Sequence, residues 1–153
     1  MIKFDNVTAT YKKNIGIFNI SFEVKPGELV FIMGPTGAGK STILKTIYKD
    51  LQLDSGKIFL NNKDISLSSS NLSISSTRNE IGMIFQDFKL LNDRNVYDNV
   101  ALPLRIAGTS SKNIKHMVRD ALNKVNMSGY EFSYPLELSG GEQQRIAIAR
   151  ALV

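Results

Sequence analysis

One eight-residue segment has the residue types and spacing of a phosphate-binding loop. Residues 34–41 read Gly-Pro-Thr-Gly-Ala-Gly-Lys-Ser, which matches the pattern G-x-x-x-x-G-K-[ST]. The glycines let successive backbone N–H groups point inward at a phosphate, and the start of the following helix adds its positive dipole end. The lysine supplies a charge for the β- and γ-phosphates, and the serine hydroxyl is placed to ligate Mg²⁺. The predicted phosphate-binding residues are Gly34, Pro35, Thr36, Gly37, Ala38, Gly39, Lys40, Ser41 and Thr42.

A second segment combines a helix N-cap with a pair of glycines. Residues 138–143 read Leu-Ser-Gly-Gly-Glu-Gln, and a strongly helical run extends from there to Leu152. Serine is a favourable N-cap, and paired glycines allow another backbone to approach closely. Because an exposed helix N-terminus attracts anions, this segment is a candidate for a second phosphate contact.

The elements that must position these residues follow from the spacing of apolar side chains. Alternating apolar residues predict strands at 2–7 and 18–24. Continuous apolar runs at 29–33 and 81–85 predict strands that are buried on both faces. The first of these runs leads directly into the glycine-rich segment, and residues 41–50 are typical of the helix that should follow it.

The second half of the chain has a helical rather than a strand period. Apolar residues form helical stripes between residues 96 and 106 and between 114 and 125, whereas residues 66–77 are rich in serine and are predicted to be a surface loop. We therefore expect a helical subdomain at 87–137 inserted into an α/β core.

Composition favours a soluble cytoplasmic protein. The 153 residues suffice for one domain, and the absence of cysteine excludes a disulfide framework. No apolar run approaches the ~20 residues needed to cross a bilayer, and the N-terminus lacks the features of a signal peptide. The net charge of +5 is scattered along the chain, so we expect a solvated basic surface that partly faces nucleotide phosphates, and no nucleic-acid partner.

Together, the two glycine-containing segments closely resemble the ATP-binding-cassette (ABC) ATPases. Leu-Ser-Gly-Gly-Glu-Gln is the signature that separates these proteins from other P-loop proteins, and the resemblance covers essentially the whole chain. It implies an α/β fold, with a P-loop NTPase core of the ABC type and an inserted helical subdomain. The expected parts are the nucleotide-binding core at 1–86, the helical subdomain at 87–137, and the signature motif with its helix at 138–153.

The resemblance also implies how the sites work. In this family the signature completes the ATP site of a second subunit, so we expect a head-to-tail homodimer that forms with ATP and Mg²⁺. The signature residues expected to contact the partner's nucleotide are Ser139, Gly140, Gly141 and Glu142.

Two further residues receive roles from the same resemblance. Tyr11 occupies the place of an aromatic residue that stacks on adenine. Gln86 looks like the glutamine of the Q-loop, which reaches Mg²⁺ and the attacking water and links the core to the helical subdomain. Lys40 and Gln86 are therefore the expected catalytic residues, and Ser41 and Gln86 the expected metal ligands.

Residues 85–104 narrow the resemblance further. They read Phe-Gln-Asp-Phe-Lys-Leu-Leu-Asn-Asp-Arg-Asn-Val-Tyr-Asp-Asn-Val-Ala-Leu-Pro-Leu, which resembles the FtsE family, whose members pair with the membrane protein FtsX in bacterial cell division. This resemblance implies a membrane partner of the FtsX type and a peripheral position on the inner face of the cell membrane. ATPases of lipoprotein-releasing and macrolide-type exporters share much of the pattern and remain an alternative.

Two other features do not support competing functions. Asn62-Lys63-Asp64 begins like the guanine-reading N-K-x-D motif of GTPases, but the residue required to be aspartate is Ile65. A P-loop kinase or GTPase is therefore disfavoured. His116 precedes the signature, whereas the switch histidine of ABC ATPases follows it, so we interpret His116 as a surface residue.

The chain ends at Val153, where members of the family continue into the Walker B strand. That strand brings an Mg²⁺-binding aspartate and a catalytic glutamate, and the switch histidine follows later. Two alternatives are open: a fragment of a longer ATPase, or a nucleotide-binding chain that cannot hydrolyse ATP. In either case, we expect no ATP turnover by residues 1–153 alone, and poor solubility because a central position of the sheet would be empty.

Overall fold

Alternating apolar residues build an antiparallel sheet in the first half of the chain. In the computed structural model, which describes residues 1–12, 15–66 and 71–153, four strands lie in the order β2-β1-β3-β4. Their bounds are Ile2–Lys12 for β1, Ile15–Val24 for β2, Ser55–Leu60 for β3 and Lys63–Asp64 for β4. The strands predicted at 2–7 and 18–24 are confirmed.

The central strand β1 forms the core of this sheet with its two neighbours. Phe4 lies opposite Phe22 of β2 on one side and Ile58 of β3 on the other. The two phenylalanine rings stack with their centroids 4.5 Å apart. Phe4 and Ile58 are almost fully buried, as is Val7 further along β1. The period-two pattern that predicted these strands is matched by burial in part, since Phe4 and Val7 are enclosed whereas Phe18, which belongs to the predicted alternation of β2, is 49% exposed.

In the described part of this half of the chain, helices α1 and α2 accompany the sheet. Helix α1 spans Lys40–Ile47 and confirms the helix expected after the glycine-rich segment. Helix α2 spans Asn71–Asn79, so the prediction of a surface loop at 66–77 is wrong for its second part, while residues 67–70 lie outside the described residues. The physical reason is tertiary: Arg78 donates to the carbonyl oxygens of Tyr48 and Lys49 just after α1, and such contacts override weak local propensity.

The two continuous apolar runs are not strands among the described residues, which corrects the prediction. In residues 29–33 the side chains are exposed, most of all Leu29 at 81% and Met33 at 88%. Residues 81–85 are likewise irregular and at most half-buried. A strand buried on both faces needs neighbouring strands and a covering layer on each face. No strand in the described ranges pairs with either run. The two apolar runs therefore lack the neighbouring strands that would bury them.

The second half of the chain is helical. Helices α3 (Val96–Ile106), α4 (Ser111–Lys124) and α5 (Gly140–Leu152) pack on one another, with a short 3₁₀ turn at Pro135–Glu137. The predicted stripe on α4 is confirmed, since Ile114, Val118, Ala121 and Leu122 are buried. The core shared by the three helices includes Val96, Val100, Val118, Leu122, Met127 and Ile146.

The chain divides into two compact units, Met1–Glu80 and Ile81–Val153. The first unit contains the sheet with α1 and α2, and the second contains α3, α4 and α5. Across the described ranges, no helix combines the length and the apolar character that a membrane crossing requires.

Candidate functional site

The glycine-rich segment forms a tight loop in front of α1. Gly37 and Gly39 have φ values of 85° and 91°, a left-handed conformation that glycine adopts without steric cost. At Gly39 a Cβ atom would also lie 2.6 Å from Cγ2 of Ile17. The loop is therefore packed against the buried side of β2, and glycine is needed at position 39 for two independent reasons.

The N-terminus of α1 offers backbone donors. Its N-cap is Gly39, which provides no side-chain cap, and the first turn contains no acidic residue. The first N–H groups of any α-helix have no acceptor within the helix, and here the first helical bond runs from Ile43 N to Gly39 O at 3.0 Å. An anion is therefore a suitable partner for this end of α1.

Lys40 places its charge over the same loop. Its Nζ donates to the carbonyl oxygens of Gly34 and Pro35, both at 2.8 Å. These bonds hold the ammonium against the first residues of the loop rather than free in solvent. The loop thus combines a fixed positive charge with the N–H groups of the helix start, which is the chemistry that phosphate oxygens need.

The hydroxyl of Ser41 is exposed in the first turn of α1, whereas its neighbour Thr42 is buried. Within the described ranges, no group of three or more His, Asp or Glu side chains forms a metal site. Mg²⁺ commonly keeps several waters and binds through one or two protein ligands together with substrate phosphates. An exposed hydroxyl beside a phosphate-binding loop fits that type of coordination.

Tyr11 lies near the end of β1, and its ring is close to α1. The Nζ atom of Lys45 on α1 lies 5.3 Å from the ring centroid, a cation–π contact. The side chain remains 46% exposed. An accessible aromatic ring beside the helix that starts at the phosphate loop is suited to stacking on a base.

Gln86 lies at the start of an irregular loop in the second unit and is exposed. Two residues after it in this loop, Phe88 and Lys89, have positive φ values of 56° and 49°. Lys89 also forms an ion pair of 2.6 Å with Asp87, and its hydrogen bond holds the pKa of the Asp87 carboxyl below its usual value.

Arg150 and Asn99, to which the sequence analysis assigns no role in the site, hold this loop. Arg150 of α5 donates from Nη2 to the Phe88 carbonyl at 2.6 Å and from Nη1 to the Lys89 carbonyl at 2.7 Å. The fully buried amide of Asn99 accepts from Leu91 N at 2.8 Å and donates to three backbone carbonyls nearby. Asn99 belongs to the stretch 85–104 that carries the FtsE resemblance, and the sequence signal for its buried amide is a polar residue inside the apolar stripe of α3.

The signature segment forms the N-terminus of α5 as a capping box. The hydroxyl of Ser139 donates to Glu142 Oε2 at 2.6 Å, and its backbone N–H donates to the same oxygen at 2.8 Å. These two bonds, the hydroxyl's first, lower the pKa of the Glu142 carboxyl. Gly140 and Gly141 are exposed, and a Cβ at Gly140 would meet open space. The two glycines at this end of α5 are therefore accessible to another molecule, whereas the Ser139 hydroxyl and N–H already bond to the Glu142 carboxylate.

The predicted site residues fall into two groups according to the unit that contains them. Tyr11 and residues 34–42 lie in the unit Met1–Glu80, where α1 and β2 bring them together. Gln86 and residues 139–142 lie in the unit Ile81–Val153. Residues 139–142 form the N-terminus of α5, and the loop that begins at Gln86 contacts its last turn through Arg150. Each group is a defined arrangement within its own unit.

Comparison with known proteins gives a consistent result. The profile of the ABC transporter family matches residues 17–153. The cell division ATP-binding protein FtsE of Escherichia coli K12 is 46% identical over the whole chain, which spans 69% of that protein. FtsE of Bacillus subtilis is 40% identical over the whole chain, which spans 67% of it.

Solved structures show the same likeness. A dimeric ATP-binding cassette in a post-hydrolysis state, bound to ADP and Pi, superposes with a TM-score of 0.88 at 34% identity. The match covers 99% of this chain and 69% of that one.

Proposed function

The chain belongs to the ABC transporter family, and from this membership we propose that it is an ATP-binding subunit that couples ATP binding and hydrolysis to a membrane partner in bacterial cell division. The expected ABC-type P-loop fold is confirmed by the likeness to solved cassettes, and the expected resemblance to FtsE is confirmed along the whole chain. The observation that carries the proposal is the loop in front of α1, where the carbonyls of Gly34 and Pro35 hold the Lys40 ammonium and the N-terminus of α1 has no side-chain cap.

In the proposed site the first unit binds the nucleotide. The N–H groups at the start of α1 and the Lys40 ammonium hold the β- and γ-phosphates. Tyr11 stacks on the base, since its ring is accessible next to α1. Ser41 and Gln86 would hold Mg²⁺, which when bound neutralises charge on the phosphates.

The second unit contributes to the nucleotide of another subunit. Ser139, Gly140, Gly141 and Glu142 form an exposed helix start, and we infer that it faces the γ-phosphate held by a second copy in a head-to-tail homodimer. The dimeric cassette bound to ADP and Pi supports this arrangement by analogy. Ser139 must then turn its hydroxyl from Glu142 to the phosphate as the dimer closes.

In a dimer that also has the Walker B aspartate and glutamate, catalysis is phosphoryl transfer to water, in which the protein mainly positions the reactants and stabilises charge. Without those two carboxylates, we expect no turnover by residues 1–153. Lys40 stabilises negative charge on the transferred group, and Gln86 orients the attacking water. When the two subunits close, the helical unit moves and transmits this motion to the membrane partner. We propose a membrane partner of the FtsX type, which places the chain on the cytoplasmic face of the cell membrane.

The decisive test is nucleotide affinity with and without the Lys40 charge. Lys40→Ala should weaken ATP binding by about tenfold or more, because it removes the ammonium that the loop carbonyls hold in place. Lys115→Ala is the matched control, since it removes the same charge from an exposed position on α4. Fluorescence titration with ATP measures both, and equal affinities for Lys40→Ala and wild type would overturn the proposed site.

A further inference from the structure

The last turn of α5 contacts the Gln86 loop through an arginine whose role is not explained by helix packing alone. Arg150 directs both terminal nitrogens of its guanidinium at main-chain oxygens, those of Phe88 and Lys89, at 2.6 and 2.7 Å. The residues joined are 62 and 61 positions apart in the chain. Charge-assisted bonds of this length are among the stronger hydrogen bonds in proteins.

The two residues that Arg150 holds have an unusual backbone. Phe88 and Lys89 are both in the left-handed region, which residues with a Cβ atom rarely adopt. Their own main-chain bonds are local, from Phe88 N to Phe85 O and from Lys89 N to Asp87 O. A planar guanidinium that binds two successive carbonyl groups is therefore a tertiary support for this conformation.

The same turn of α5 also touches the chain before Gln86. A Cβ atom at Gly82 would lie 2.5 Å from the carbonyl oxygen of Ala151. The end of α5 therefore contacts the main chain on both sides of Gln86, at Gly82 before it and at Phe88 and Lys89 after it. Gln86 itself remains exposed between these two anchors.

Helix α5 is well suited to act as a fixed reference. It has 13 residues, or about 20 Å at 1.5 Å per residue. Its middle is buried, since Ile146, Ala147 and Ala149 are fully enclosed. Ser139 caps its first turn and Arg150 lies in its last. The two candidate site segments of this unit are thus attached to opposite ends of one helix whose middle is buried.

We propose that Arg150 is a positioning residue for Gln86: it fixes the main chain of residues 86–89 so that the Gln86 side chain is presented to the Mg²⁺–nucleotide. This inference rests on the proposed function, in which Gln86 reaches the metal. Arg150 does not touch the nucleotide in this account, and it acts only through the loop that it holds.

The first experiment compares Arg150→Gln, Arg150→Lys and Arg105→Gln. Arg105 is the matched control, because it lies in the last turn of α3 and its guanidinium pairs with Asp98 of its own helix. Amide hydrogen exchange is measured for residues 85–91. We expect faster exchange there in Arg150→Gln, partial protection in Arg150→Lys, which keeps a charge but not the fork, and wild-type exchange in Arg105→Gln.

The second experiment separates positioning from general weakening. ATP affinity is measured by fluorescence titration in Mg²⁺ and again in EDTA. Arg150→Gln should weaken binding by about fivefold in Mg²⁺, a typical size for a coupling between contacting groups. In EDTA, where Gln86 has no metal to reach, the affinity should match that of wild type, and Arg150→Lys should restore part of the loss in Mg²⁺.

A double-mutant cycle gives the sharpest result. In a Gln86→Ala background, Arg150→Gln should produce no further loss of Mg²⁺–ATP affinity, because the residue through which it acts is gone. The proposal is overturned if the two losses add, if the loss is as large in EDTA, or if Arg150→Gln exchanges at 85–91 like Arg105→Gln. If Arg150→Gln does not fold, Arg150→Lys is tested in its place, and the same three outcomes overturn the proposal.

The design also separates this inference from the proposed function. Absence of ATP binding by the wild-type chain contradicts the proposed function, whereas the exchange experiment still decides whether Arg150 holds the loop. Normal ATP binding with no Mg²⁺-specific effect of Arg150→Gln leaves the proposed function in place and removes only the positioning role.

Discussion

The N-termini of α1 and α5 are both candidate phosphate contacts, yet they are built in opposite ways. The start of α1 has a glycine N-cap, no side-chain cap and no acidic residue in its first turn, and Lys40 lies over the preceding loop. The start of α5 has a complete capping box between Ser139 and Glu142. Electrostatically, the first is prepared for an anion and the second already holds one.

This difference predicts that the two helix N-termini bind a phosphate under different conditions. The loop before α1 can receive phosphates without displacing any side chain, because its donors are not capped. At α5 an incoming phosphate must compete with the Glu142 carboxylate for the Ser139 hydroxyl. Binding at α5 should therefore depend on a partner that brings a phosphate in the correct position, which suits a segment that completes another subunit's site.

The largest expected effect concerns the glycines of the two segments. Gly39→Ala should lower the free energy of unfolding by about 2 kcal/mol or more, because it combines a left-handed φ with a Cβ 2.6 Å from the buried, β-branched Ile17. Gly140→Ala should change it by less than about 1 kcal/mol, since alanine is favourable in a helix. Urea unfolding measures both, and similar losses would contradict the contrast between the two helix starts.

The next effect separates binding in one subunit from assembly of two. Ser139→Arg should leave the affinity of the monomer for ATP within about twofold of wild type and weaken ATP-dependent dimerisation by at least about tenfold, because a bulky side chain then occupies the shared contact. Ser110→Arg is the matched control, since Ser110 is the N-cap of α4 in the same unit.

Sedimentation with and without ATP measures the dimerisation of both variants. A loss of monomer affinity in Ser139→Arg as large as its loss of dimerisation would mean that the signature acts within its own subunit. An equal loss of dimerisation in Ser110→Arg would mean that any arginine on this unit disturbs assembly.

The smallest effect is a pH dependence at the start of α5. The Ser139 hydroxyl and N–H bonds lower the pKa of Glu142 in the folded chain, so this carboxylate contributes stability above its unfolded pKa of about 4.3. That contribution is lost as pH falls through the lower, folded pKa. The stability difference between wild type and Glu142→Gln should therefore shrink as the pH is lowered from 7 to 3. Urea unfolding across this range measures it, and a constant difference would contradict the capping role of the ionised carboxylate.

Local patterns predicted those elements whose partners are near or whose period is strong. The strands β1 and β2 predicted from alternation are present, and the stripe on α4 appears in the structure as burial. The apolar runs at 29–33 and 81–85 were predicted as buried strands and are irregular and partly or largely exposed. A run of apolar residues records that a segment can be buried, whereas burial itself requires neighbouring strands and covering layers that no local pattern contains.

The helix at Asn71–Asn79 shows the opposite error. A serine-rich segment is typical of a loop, but Thr77 is buried and Arg78 bonds to the main chain after α1 and stacks over Tyr48. Local propensity is a weak preference of less than about 1 kcal/mol per residue. A few tertiary contacts are enough to reverse it.

The sequence by itself determined the chemistry of the short motifs: the glycines and lysine of residues 34–41, the capping box that begins at Ser139, and the family to which both belong. These features depend on backbone geometry and on bonds between residues a few positions apart, so their spacing is visible in the chain. Only the tertiary structure decided that Arg150 holds Phe88 and Lys89. That contact joins residues about sixty positions apart, and it exists because the packing of α5 brings its last turn to the Gln86 loop.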